Sequence, residues 1–259
     1  MTPKILMFAI TLAFALPAFL PAQGTRGQVT VLTSGGFSAA YQELLSQFEK
    51  STGITVTTVR GESQGDGPTM IDAQLRSGLP ADVVIMSREG LAGQLAEGRI
   101  VMGSDVDLAN VPLGVGVRAG APHPDISTVN AFKQTLLGAK SIGIQSTSAI
   151  YLKTRVIPEL GIAGDLADRL SDAPAAEVAS GSVEMVVLPV SEILSVRGVD
   201  LVGTIPADLQ FVQVFAAAVV NGTKNPEAAK RLIDFLASEN ATPTVEKMGM
   251  QRGGIEVLK

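Results

Sequence analysis

Residues 28–53 read QVTVLTSGGFSAAYQELLSQFEKSTG, and the three parts of this stretch decide the fold. Val29, Val31 and Leu32 form the β-branched and aliphatic run of a buried strand, and Ser34-Gly35-Gly36 turns the chain. Tyr41, Leu44, Leu45 and Phe48 then recur at helical spacing, with Gly53 placed to end the helix. A helix opened by such a turn directs unpaired N–H groups and the positive end of its dipole beyond the strand's carboxyl end, where an anion can be held. Hydroxyls at Ser34 and Ser38 add donors. Taken alone, a glycine pair of this kind is more often only a tight strand-to-helix turn. The segments downstream give the anion-site reading its weight.

Working outward, the same alternation of strand and helix continues. Ile54–Val59 reads as a second strand, ending at Arg60-Gly61-Glu62-Ser63 before a helix near Pro68–Arg76. Ala81–Met86 reads as a third strand, closed by Ser87-Arg88 and followed by a helix to about Gly98. From Val111 the glycine-containing run PLGVGVRAGAP is extended, and it is read as a first strand crossing to a second lobe. There a helix near Val129–Leu137 leads to a strand at Ser141–Gln145, and Ser146-Thr147-Ser148 opens a helix carrying Tyr151, which repeats the opening motif. A helix over Pro174–Ala179 and a strand over Met185–Leu188 follow, the latter closed by Pro189-Val190-Ser191-Glu192. Phe211–Gly222 reads as the return crossing, and Asn225-Pro226-Glu227 starts a helix whose buried face is Ala229, Leu232, Ile233 and Leu236. The expected class is α/β with two lobes, residues 23–110 with 213–259 and residues 111–212. Strand ends converging on one edge make a ligand crevice between the lobes.

Residues 1–22 carry one lysine, an apolar run from Ile5 to Leu16 and the exit Leu20-Pro21-Ala22, the pattern of a secretory signal peptide cleaved after Ala22. No later apolar segment has spanning length, so no membrane insertion is expected after cleavage. The chain has no cysteine, which suits an exported bacterial protein whose core needs no disulfide, and a periplasmic location follows. Without the leader, 19 Lys+Arg face 25 Asp+Glu; with no tryptophan and two tyrosines, the chain offers no basic, aromatic surface for nucleic acid.

Three segments carry a resemblance to a known family: FEKSTGITV, GLPADVVIMS, and the run VGTIPADLQFVQVFAAAVVNGTKNPEAAKRLIDFLAS followed by EKMGM. They resemble the ModA-like, molybdate-binding type of periplasmic solute-binding protein, over nearly the whole mature chain. The resemblance implies a type II periplasmic-binding fold, two α/β lobes closing over a small anionic ligand, with an ABC permease as a possible partner. The ligand turns depart from the molybdate pattern. The first reads Ser34-Gly35-Gly36-Phe37; the second, Gly61-Glu62-Ser63, puts a carboxylate beside the anion; and Leu188-Pro189-Val190-Ser191 stands where the family carries a tyrosine. These turns are similar to a sub-branch that contains aconitate isomerase, which implies a tricarboxylate substrate and an allylic proton shift needing neither metal nor cofactor.

Within that reading, Glu62 and Tyr151 are the candidate proton carriers. Ser34, Gly35, Gly36, Ser38, Arg60, Ser63, Arg88, Ser146, Thr147, Ser148 and Ser191 are the candidate ligand contacts, the arginines as bidentate clamps. Each has a plainer alternative: Glu62 as a helix-capping acid, Tyr151 as lobe packing, the arginines as solvated surface. His123, between two prolines, reads as an exposed turn, and Lys153 and Arg155 as a solvated face. No metal-ligand cluster, Walker loop or Ser-His-Asp order is present. Two functions stay open: an isomerase of a small polycarboxylate, or a receptor delivering molybdate or another small oxyanion or carboxylate to a transporter.

Overall fold

The structure is a computed structural model that describes residues 27–253. The expected signal segment, residues 1–22, lies outside the described residues. The opening unit forms as β1 (Gln28–Thr33), a turn at Ser34, and α1 (Gly35–Thr52). α1 buries Phe37, Tyr41, Leu44 and Phe48 along one face. It stops where Gly53 adopts φ 70°, a left-handed conformation open to glycine, and returns its N–H to the Glu49 carbonyl. β2 (Thr55–Arg60), α2 (Ile71–Arg76), β3 (Val83–Ser87) and α3 (Arg88–Ala96) follow. β2 and β3 flank β1 in parallel, so all three strands deliver their carboxyl ends to the same edge.

β4 (Val106–Arg118) is a single 13-residue strand. It begins ahead of the expected Val111, because pairing carries the polar residues Asp107 and Asn110 into the ladder. Next come α4 (Val129–Gly138), β5 (Ile142–Ile144), α5 (Ser146–Tyr151), α6 (Ile157–Leu160), α7 (Ala163–Leu166) and β6 (Leu170–Asp172). α8 (Ala175–Ser180), β7 (Met185–Pro189), α9 (Val190–Leu194) and β8 (Val199–Thr204) complete this part. β9 (Val212–Val219), α10 (Pro226–Ala237) and α11 (Thr242–Lys247) close the described chain. The short strands β6 and β8 carry no periodicity strong enough to be read in advance.

The nine strands of the described residues join one sheet in the order β2-β1-β3-β9-β4-β7-β5-β6, with β8 also paired to β4. β5 lies parallel to both β6 and β7, repeating the arrangement around β1. Between the two parallel groups stand β9 and β4, antiparallel to their neighbours. The first half of β4, to Pro112, pairs with β9, and its second half, from Leu113, pairs with β7 and β8. One strand therefore belongs to both parts of the sheet.

Helices cover both faces of each part. Around β1 and β3, one face packs Phe37, Tyr41 and Leu44 of α1 with Leu232, Ile233 and Leu236 of α10, and the other packs Leu32 and Met86 with Leu91 of α3. Around β5 and β7, Phe132 and Leu136 of α4 cover one face and Val178 and Ile193 the other. Each fully buried side chain of this size contributes about 1.5–3 kcal/mol, so both parts have cores of their own. One expected detail differs at α10. Asn225 precedes the helix with Pro226 at the first position, yet its side chain makes no capping bond; its Nδ2 donates to Asp82 Oδ1 at 3.3 Å instead.

Candidate functional site

The carboxyl ends of β1 and β2 face those of β5 and β7 across a cavity of about 450 Å³. Ser34 opens its first wall. Its N–H donates to the Ile85 carbonyl at 2.9 Å, its backbone is extended at φ −91°, and its hydroxyl does not cap α1. The first amides of an α-helix lack intrahelical acceptors, and α1 has no acidic residue in its first turn. An 18-residue helix thus presents free donors and the positive end of its dipole to the cavity. Gly36 is needed for packing: a Cβ there would fall inside the ring of Phe215, which lines the floor.

The β2 end supplies Arg60, Gly61, Glu62 and Ser63. Ser63 sits at the centre of a hydroxyl chain, donating to Ser34 Oγ at 2.9 Å and accepting the Ser87 N–H at 2.8 Å. Arg60 is exposed toward the cavity and forms no ion pair among the described residues. Glu62 accepts a 3.2 Å hydrogen bond from Gln145 Nε2 of the opposite wall. Burial, and then the charge of Asp172, raise its pKa above the ordinary carboxylate value, and the Gln145 bond opposes that rise.

The second wall comes from β5, β7 and the helices after them. Ser146, Thr147 and Ser148 of α5, Ala175 and Ala176 of α8, and Glu192 of α9 all line the cavity. Ser146 is the only non-glycine among the described residues with positive φ, at 51°. Its Oγ accepts the Gln64 N–H at 3.2 Å, and the Thr147 and Ser87 hydroxyls meet at 2.9 Å, so α5 is tied to the first wall. The carboxyl of Glu192 lies about 3.0 Å from where a Cβ on Gly35 would stand, over the start of α1. Burial, with the charge of Glu62 in second place, pushes its pKa up to about 7. Two buried polar atoms of the lining, Ser38 Oγ and Gln213 Oε1, have no partner among the described residues.

Ten of the sequence-expected site residues therefore line one cavity: Ser34, Gly35, Gly36, Ser38, Arg60, Glu62, Ser63, Ser146, Thr147 and Ser148. Three do not, and each has a structural reason. Tyr151 stacks on Phe211, with ring centroids 4.7 Å apart, and donates to the Leu209 carbonyl at 3.2 Å, so it packs the second core. Arg88 forms ion pairs with Asp105 and Asp107 away from the cavity. Ser191 is buried and donates to the Gly36 carbonyl at 2.7 Å, bracing α1 from behind rather than facing a ligand. Glu192, Gln145 and Gln213 were missed. Glu192 had a readable signal, an acid just past a closing strand as Glu62 is, whereas Gln213 is a single polar residue in an apolar strand. Among the described residues no cluster of His, Cys, Asp and Glu could hold a metal ion, and no helix is long and apolar enough to cross a membrane.

This cavity can be set beside known proteins. The family model for bacterial extracellular solute-binding proteins matches residues 29–251. The chain belongs to that family. The protein named aconitate isomerase from a Pseudomonas species is 36% identical over 228 residues, 86% of this chain and 87% of that one. The molybdate-binding protein ModA of Azotobacter vinelandii is 27% identical, over 86% of this chain and 89% of its own length. Among solved structures, the periplasmic molybdate-binding protein of Azotobacter vinelandii superposes with a TM-score of 0.71 at 22% identity, covering 87% of this chain and all of that one. This solute-binding protein therefore has the ModA-like type II periplasmic-binding fold.

Proposed function

We propose that this solute-binding protein acts in the periplasm on a small polycarboxylate, and that its reaction is the interconversion of trans- and cis-aconitate by allylic proton transfer. The observation that carries the reading is that two carboxyl groups with raised pKa values, Glu62 and Glu192, face a cavity whose other polar lining includes the Arg60 guanidinium, the start of α1 and several hydroxyls. A pocket meant only for a dianion gains nothing from two acids. A proton-transfer site needs at least one. The 36% identity to a protein named aconitate isomerase supports the same choice.

The chemistry can be written from this chain's residues. Arg60 and the first amides of α1 hold substrate carboxylates. The Glu62 carboxylate takes a proton from the substrate methylene carbon, and the electron pair spreads over the allyl unit onto the two terminal carboxylates. The Glu62 acid then returns the proton to the far allylic carbon, moving the double bond and restoring the enzyme. Donors already aimed at the cavity stabilise the extra charge without reorganising.

A second reading, a non-catalytic receptor for molybdate or a related oxyanion working with an ABC permease, has its own support in the hydroxyls of Ser34, Ser38 and Ser63 and in the ModA relatives. Incubation of the purified protein with trans-aconitate, followed by chromatography for the cis isomer, separates the two. Conversion supports the enzyme; no conversion, with a rise in Tm on adding molybdate, supports the receptor.

A further inference from the structure

Glu192 places its carboxyl over the start of α1. Its carboxyl sits beside Gly35, has no side-chain hydrogen bond or ion pair among the described residues, and lines the same cavity as Glu62. Ser38 Oγ and Gln213 Oε1, both on buried residues of the same lining, have no hydrogen-bond partner among the described residues. Ser38 Oγ and the free amides of α1 can donate to a ligand that brings several oxygen atoms into this cavity. A fully ionised polycarboxylate would meet a second negative charge there, unless that charge is removed.

Building on the reading above, we infer that Glu192 holds the ligand as a neutral acid, donating its proton in a hydrogen bond to a ligand carboxylate seated at the start of α1. The surroundings allow this. α9 packs on α1, β4, β7 and β8, and the acids on those elements are engaged elsewhere: Glu43 with Lys247, Glu49 with the Val56 N–H, Asp107 with Arg88 and Asp200 with the Gly120 N–H. Lys50 lies in the last turn of α1, and Arg118 ends β4 beyond Leu113, the residue that pairs with Pro189. The charges left at the cavity are Arg60, Glu62 and, beside Glu62, Asp172. The two acids divide the labour: Glu62 moves a proton, Glu192 keeps one. During turnover the Glu192 proton stays shared with a terminal carboxylate as that group gains charge, so no net proton is made or lost.

The consequence is that binding takes up a proton. Titration calorimetry of the wild-type protein with trans-aconitate, in buffers of different ionisation enthalpy, is expected to show uptake of about half a proton at pH 7 rising toward one at about pH 8. Affinity then weakens by close to tenfold per pH unit above that, where the ligand is fully ionised. E192Q, which keeps a donor but cannot titrate, is expected to bind with no uptake and with kcat about tenfold lower; E192A, with no donor, about a hundredfold lower. E62Q keeps the uptake. Binding without proton uptake in the wild type, or uptake unchanged in E192Q, overturns the inference while leaving the isomerase reading standing. Failure of the wild type to bind or convert trans-aconitate overturns both.

Discussion

The molecule opens two helices onto its cavity from the same kind of strand end, and they do different things. At β1 a glycine turn starts an 18-residue helix whose first amides stay free. At β5 the turn is made by Ser146 at φ 51°, and α5 lasts six residues before the chain passes into a π-helical turn at Leu152–Val156. The first opening leaves its donors for a ligand. The second has already used its side chains on the protein: Gln145 on Glu62, Ser146 on Gln64, and Thr147 on Ser87. A repeated sequence pattern thus yields one cradle and one latch, and what separates them is helix length and whether the hydroxyls are taken.

The contrast can be broken most severely through the group both openings address. E62Q removes the proposed proton carrier and the charge that Gln145 grips, and kcat for trans-aconitate is expected to fall by 10²–10⁴, with binding retained by calorimetry. R60A tests the cradle alone, and a ten- to hundredfold weaker Kd is expected in the same titration, the equivalent of one charge-assisted carboxylate bond. G36A places a methyl group in the Phe215 ring and is expected to destabilise by about 1–3 kcal/mol in urea unfolding while weakening ligand binding.

Stability against pH sharpens the same picture. The Glu192 pKa is raised on folding, so the folded state binds the proton more tightly than the unfolded chain. Its ionisation therefore destabilises the fold as pH rises from about 4.5 to 7, and the penalty is complete above that. E192Q, compared with the wild type by thermal unfolding, is expected to gain on the order of 1–3 kcal/mol at pH 8 and almost nothing at pH 4. For the latch, S146G and S146A both lose the bond to Gln64, but only glycine relieves the left-handed backbone. S146G is expected to be more stable than S146A by about 1 kcal/mol. Y151F and R88A, which lie outside the cavity, are expected to keep kcat within about twofold.

Most of this fold was legible because its signals are local. The 3.6-residue spacing of Tyr41, Leu44 and Phe48, the glycine at 53, and the unbroken apolar run of β3 each specify one element without reference to any other. The site was legible where a strand end coincides with a small or polar residue, as at Ser34, Glu62 and Ser146. It was illegible where side-chain direction decides. Tyr151 stands five residues after Ser146, and α5 turns its ring onto Phe211 instead of into the cavity. Arg88 follows β3 directly, but Asp105 and Asp107, distant in sequence, draw it away. Ser191 and Glu192 are adjacent, and only the start of α9 determines that the hydroxyl points at Gly36 and the carboxyl at the cavity.

β4 carries a mechanical consequence. Because it passes unbroken from the β9 ladder to the β7 ladder, changing at Pro112–Leu113, any swing that widens the cavity must be absorbed as torsion of that strand and its neighbours. A ribbon twisted in this way stores the displacement elastically and tends to recoil. The gap would then shut by springback once an occupant has bridged it, with no need for a loose tether between the halves.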